Sequence, residues 1–159
     1  MPLIPRILHP NKDKQHYPRD EWVEAEPYFI FGSPEFYKEI AGQESNGKDQ
    51  PQEFLRALRG DLVSRFTMSG PTIACEEVED GTKIYHFRYL LLNYSPPVML
   101  TIVRLDHPFS EQHPEGGTGF TLKATYWGRE GFSEKDLQEI AERNHLKPRS
   151  KFPKPAPRQ

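Results

Sequence analysis

The strongest constraint on this chain is a run of four strand-like segments, at about 72–79, 82–93, 98–105 and 119–127. They mix β-branched and aromatic residues with polar ones. The junctions "EDGT", "YSPP" and "DHPFSEQHPEGGT" are rich in turn formers. Successive strands joined by short turns pair antiparallel. The first junction is the most explicit. In "EEVEDGTKIYHFRYLLLNY" (76–94), Asp80-Gly81 stands between two strand segments, the strongest short-range hairpin signal. A four-stranded antiparallel meander is therefore expected.

Such a sheet must bury one face. The cover is expected from "PQEFLRALRGDLVSRF" (51–66), where Phe54, Leu55, Leu58, Leu62, Val63 and Phe66 recur at spacings of three and four. Pro51 opens that helix, and Gly60 weakens it without breaking it. "SPEFYKEIAG" (33–42) reads as a short helix with Ser33 as N-cap, Pro34 at its first position and Gly42 as its stop. A C-terminal helix is expected over 133–144, with Ser133 as cap and Leu137, Ile140 and Ala141 facing the core. Residues 28–31 read as a short strand or strap. The fold class is thus α+β, with the meander packed against the 51–66 helix.

The chain has 159 residues, enough for one domain without disulfide staples. Its 16 prolines crowd toward the two ends. The expected organisation is a Pro-rich arm over 1–20, a single domain over 21–145, and a basic Pro-rich tail over 146–159. The single cysteine, Cys75, excludes an internal disulfide framework. No apolar window is long enough to span a membrane, and no signal-peptide pattern opens the sequence. A cytoplasmic location is expected.

The net charge of −2 argues against a dedicated nucleic-acid binder. The charge is unevenly spread, however. Residues 20–53 carry nine acids against Lys38 and Lys48. The C-terminal stretch carries Lys147, Arg149, Lys151, Lys154 and Arg158 with no acid after residue 145. Such asymmetry suits an interaction tail or self-association.

Strand alternation sorts residues by face. Phe120, Leu122, Ala124 and Tyr126 form one row, and Thr121, Lys123, Thr125 and Trp127 the other. In the second strand, Tyr85, Phe87, Tyr89 and Leu91 face the core. His86 and Arg88 then share the outer face with Lys123, Thr125 and Trp127, together with either Arg104 or Thr101. Cations beside an aromatic ring and hydroxyls suit an acidic protein surface, and equally phosphates and stacked bases.

Three chemistries deserve weighing. A two-residue Asp80-Gly81 turn would place Cys75 opposite His86, with Glu77 diagonal to it. A thiol beside an imidazole oriented by a carboxylate is the logic of an activated nucleophile, hence a Cys–His hydrolase. Strand cysteines are more often small apolar residues. The second is metal-independent RNA cleavage, with His86 as acid or base and Arg88 or Lys123 stabilising the charged transition state. The third is a metal site in the loop holding Asp106, His107, Glu111, His113 and Glu115. Its histidines match no ligand spacing and each precedes a proline, so a mobile loop is expected and no metal. "GGTG" (116–119) leads into a strand rather than from a strand into a helix, so it reads as a hinge and not as a phosphate loop.

No catalytic motif has confirming context, and no cofactor is expected. The favoured reading is a small binding or regulatory protein. It would engage a protein partner through the outer face (Lys123, Thr125, Trp127, Arg104) and the charged termini (Lys147, Arg149, Lys151). RNA is the alternative partner, and a homodimer is compatible with the charge asymmetry.

Overall fold

The computed structural model describes residues 21–41, 49–78, 81–107, 117–129 and 131–148. In chain order the elements are β1 (Trp22–Glu24), β2 (Tyr28–Gly32), α1 (Pro34–Ala41), α2 (Gln50–Arg65), β3 (Met68–Glu77), β4 (Lys83–Leu91), β5 (Val98–His107), β6 (Gly117–Trp127), α3 (Glu134–Arg143) and β7 (Lys147–Pro148). They form an α+β fold with one antiparallel sheet.

The meander β3-β4-β5-β6 is present, but the sheet has seven strands rather than four. Its order is β3-β4-β5-β6-β2-β7, with β1 also pairing with β6. The far edge of β6 carries backbone donors and acceptors that must be satisfied. β1 and β2 supply them end to end, pairing Trp22 with Trp127 and Tyr28 with Leu122. Ala25 continues the contact between them, its N–H donating to the Ala124 carbonyl at 3.0 Å. Pro27, which has no N–H, interrupts this edge. The break leaves two short runs: β2 falls where the sequence reads a short strand at 28–31, and β1, three residues long, is the one it does not show. β7 then pairs with β2 through Lys147 and Phe29.

The α2 stripe works largely as its spacing predicts. Phe54, Leu55, Leu58 and Leu62 are buried. Each such side chain contributes about 1.5–3 kcal/mol by leaving water. Val63, expected in the stripe, is 63% exposed, and Phe66 lies past the helix end, tilted against Tyr94. Asp49 caps α2, accepting from the Gln52 N–H at 3.0 Å. Ser33 caps α1 through the Phe36 N–H at 3.3 Å. At α3, the Asp136 carboxylate accepts from the Ser133 N–H at 2.7 Å, and Leu137, Ile140 and Ala141 are buried.

The inner sheet face meets these helices. Tyr28 and Ile30, Phe120, Leu122, Ala124 and Tyr126, Val98, Leu100 and Ile102, and Tyr89 and Leu91 join the core. Asp61 ties α2 to the end of α3. It accepts from Arg143 at 3.2 Å and from the Asn144 amide at 3.0 Å. Burial alone would raise the Asp61 carboxyl, but hydrogen bonds from Arg143, Asn144 and Arg65 outweigh it and hold its pKa below the usual value.

The first hairpin departs from the expected register. The Val78 N–H donates to the Thr82 carbonyl at 2.9 Å and the Gly81 N–H to the Val78 carbonyl at 2.9 Å. Gly81 has φ +87°, a left-handed conformation natural to glycine. These bonds define a loop of three residues, closed by the glycine, rather than two. One extra loop residue shifts every pair by one. The "GGTG" segment also differs from the hinge expected of it. Gly117 and Gly119 are strand residues lying against the Phe31 ring, and a Cβ on Gly117 would come within 2.5 Å of that ring.

Candidate functional site

Among the described residues no helix covers the outer face of the sheet. Register arranges its side chains in rows that cross the strands. One row runs Thr72, Arg88, Thr101, Lys123. The next runs Ala74, His86, Val103, Thr121, Phe29, Lys147. Neighbouring positions in a row are about 5 Å apart at Cβ. Arg88, Lys123 and Lys147 are exposed, and none makes an ion pair with a described residue. Three cations therefore stand on two adjacent rows, separated by Thr101, Thr121 and the half-buried Phe29.

The β5 register settles the choice between Thr101 and Arg104. Thr101 lies between Arg88 and Lys123. Arg104, expected among the binding residues, points the other way because it is three residues along the strand. Its side chain is 12% exposed. It donates to Asp106 at 2.9 Å, to Gln52 at 3.0 Å and to Asp49 at 3.2 Å. Burial would lower the Arg104 pKa, but the two carboxylates raise it, so the guanidinium stays charged. Asp106 also accepts from Thr118 at 3.0 Å. Nearby, the buried Tyr37 hydroxyl donates to the Thr118 carbonyl at 2.6 Å, and burial pushes its pKa up. This cluster locks the start of α2 onto β5 and β6, and its polar groups are already spent on one another.

Two further expectations change. Trp127 lies on the outer side of β6 but is only 6% exposed. Its ring meets Trp22, its register partner on β1, edge-on at 6.0 Å. It also helps line a cleft of about 300 Å³ with Tyr94, Pro96 and Phe132. Thr125 remains on the outer side, half-buried beside Met99 and Glu24.

The slipped hairpin removes the Cys75–His86 pairing on which a Cys–His hydrolase rested. Cys75 faces Tyr85, Glu77 faces Lys83, and His86 faces Ala74. Cys75 and Glu77 thus belong to the opposite face from His86. The acid that reaches the imidazole is Glu76, with Oε1 3.3 Å from His86 Nε2. Sequence reasoning missed it because a two-residue turn would send Glu76 to the other face. Thr72, Ala74, Cys75, Glu76, His86 and Arg88 line a shallow depression of about 380 Å³. Its polar groups could hold an anion beside a proton-transferring imidazole.

Of the remaining expectations, Glu111, His113, Glu115, Arg149 and Lys151 lie outside the described residues, as does the 1–20 arm. His107 contacts Thr82 at 3.4 Å and the Phe31 ring at 5.9 Å. Among the described residues no group of three His, Cys, Asp or Glu side chains could hold a metal ion. No described helix is long and apolar enough to cross a membrane. Comparison with known protein families, curated proteins and solved structures returned no match.

Proposed function

We propose that the protein is a binding module whose open sheet face engages an acidic segment of a protein partner. The observation that carries this reading is the pair of cation rows, with Arg88, Lys123 and Lys147 unpaired among the described residues and flanked by hydroxyls and Phe29. A charge left without an internal partner on a rigid sheet is available for an external one, and costs no reorganisation when it is met. An extended acidic chain laid across the strands, along these rows, would meet Arg88 on β4, Lys123 on β6 and Lys147 on β7 in turn.

The test is titration of the labelled protein with a glutamate-rich peptide, followed by backbone amide NMR. Expected perturbations fall at Arg88, Thr101, Thr121, Lys123 and Lys147. Combining Arg88→Ala with Lys123→Ala should weaken binding by about tenfold or more, in line with two charged hydrogen bonds lost. Shifts confined to the α2 side, or equal binding by the double variant, would reject the reading. Deleting 149–159 then measures what the tail adds.

A second reading is favoured by one observation: the depression that brings Glu76, His86 and Arg88 together. There His86 could accept the proton of a ribose 2′-hydroxyl as that oxygen attacks the phosphate held by Arg88, and return it to the departing 5′-oxygen as the P–O bond breaks, cleaving RNA without metal. Purified protein should then degrade bulk RNA in EDTA, and His86→Ala should not. Intact RNA, or equal cleavage by the variant, ends this alternative.

A further inference from the structure

The two edges of the sheet are finished differently. One ends in β7, two residues long and closed by Pro148, which has no N–H to offer. The other ends in β3, ten residues long. Among the described residues nothing pairs with its far side. Residues 72–78 are all exposed, whichever face they occupy. Ile73 is 59% exposed and Val78 41%. Natural edges are usually blunted by lysine, proline, bulges or shortness; β3 carries Pro71 and a register shift only at its start, between Ser69 and Thr72, and residues 72–77 carry no lysine and no proline.

The hydrogen-bonded hairpin fixes which backbone groups point outward. Val78 bonds to Thr82. Alternation then turns Glu76, Ala74 and Thr72 toward β4, and leaves the N–H and C=O of Ile73, Cys75 and Glu77 facing out.

We infer that β3 is a homodimerisation edge, pairing antiparallel with β3 of a second copy about a two-fold axis at Ala74. The occupant follows from self-complementarity. β3 carries both of its charges, Glu76 and Glu77, at one end. Antiparallel self-pairing sends each acidic end to the partner's uncharged end, so like charges are kept apart. In the register centred on Ala74, Ile73 opposes Cys75 of the second copy, apolar against small and soft. Ala74 meets its own equivalent. Thr72 opposes Glu76 of the second copy, in the same row as Arg88, which sets opposite charges on either side of a threonine. The adjacent register centred on Cys75 brings glutamates opposite Ala74 and Ile73, and the one centred on Ile73 sets Pro71, which has no N–H, opposite Cys75 next to the axis. Isologous pairing of this kind also closes, consuming both free edges. Lys123 and Lys147 stay exposed, so two outer faces would join side by side into one longer surface.

Sedimentation velocity of the full chain should give twice the 18.5 kDa chain mass at tens of micromolar, roughly, as a strand-sized interface implies. Ile73→Lys should return it to the monomer mass. Val63→Lys, at an equally exposed site on α2, should leave the dimer unchanged. The register has its own readout. In a Cys75→Ser background, Ala74→Cys should form an interchain disulfide under mild oxidant, because the two Ala74 positions meet at the axis, whereas Thr72→Cys should not. A monomer at every concentration, a dimer indifferent to Ile73→Lys, or crosslinking at position 72 instead of 74 would each overturn the inference. Circular dichroism of each variant separates loss of pairing from loss of fold.

Discussion

Arg88 and Arg104 sit on neighbouring strands of one sheet and have opposite fates. Arg104 faces inward, 12% exposed, and is held by Asp106, Asp49 and Gln52. Arg88 faces outward and has no ion pair among the described residues. The same side chain is a structural fastener on one face and an idle charge on the other. Burial is what separates them. An interior guanidinium must be paired to be tolerated at all, whereas a solvated one can wait for a ligand. On this sheet, then, a paired cation marks a finished joint, and an unpaired one leaves its charge to solvent.

Substitutions can break that contrast, and the largest effect should come from the inner side. Arg104→Ala strands Asp106 beside Tyr37 and Thr118 and frees the start of α2. A loss of about 2–3 kcal/mol is expected in urea unfolding, below the 3–5 of a fully buried pair because Asp49 and Asp106 keep contact with water. Asp61→Asn should cost about 1–2 kcal/mol at neutral pH, since it breaks charge-assisted bonds to Arg143 and Arg65. The pH dependence has a definite sign. The folded-state pKa of Asp61 is lowered, so its stabilisation is present above the ordinary carboxylate pKa of 3.8 and is lost as pH falls through the folded value. Wild type and Asp61→Asn should therefore converge in stability under acid. Tyr89→Phe tests the rule from the other direction. The Tyr89 hydroxyl is buried without a partner among the described residues, so removing it should be neutral or stabilising by about 1 kcal/mol in thermal unfolding. Smallest of all, Arg88→Ala should change stability by less than about 0.5 kcal/mol. If it destabilises as much as Arg104→Ala, the contrast between the faces is wrong.

Much of the scaffold was legible from periodicity. The row Phe120, Leu122, Ala124 and Tyr126 is buried as alternation requires, and so are Phe54, Leu55, Leu58 and Leu62 on their helical spacing. Both signals are local and repeat several times. What escaped depended on a single residue or on distant chain. One extra residue in the hairpin loop exchanged Glu77 for Glu76 beside His86 and moved Cys75 to the other face. Asp-Gly fits loops of two or three residues, so spacing alone does not choose between them. Trp127 was expected on the open surface but is buried, its strand paired with β1 from about a hundred residues earlier. Arg104 could be placed only once the turn at 92–97 fixed the β5 register.

The pairing of β2 with β6 has a consequence for the order of assembly. Tyr28 finds its partner at Leu122, and Phe29 finds a second at Lys147. During synthesis from the N-terminus, β1 and β2 emerge first but cannot dock until β6 exists, and β7 can dock only once β2 is in place. The meander from β3 to β6 needs only near neighbours and can form beforehand. The last strand of that meander therefore becomes the template on which the earliest part of the chain is laid, and that early strand in turn becomes the template for the latest, β7.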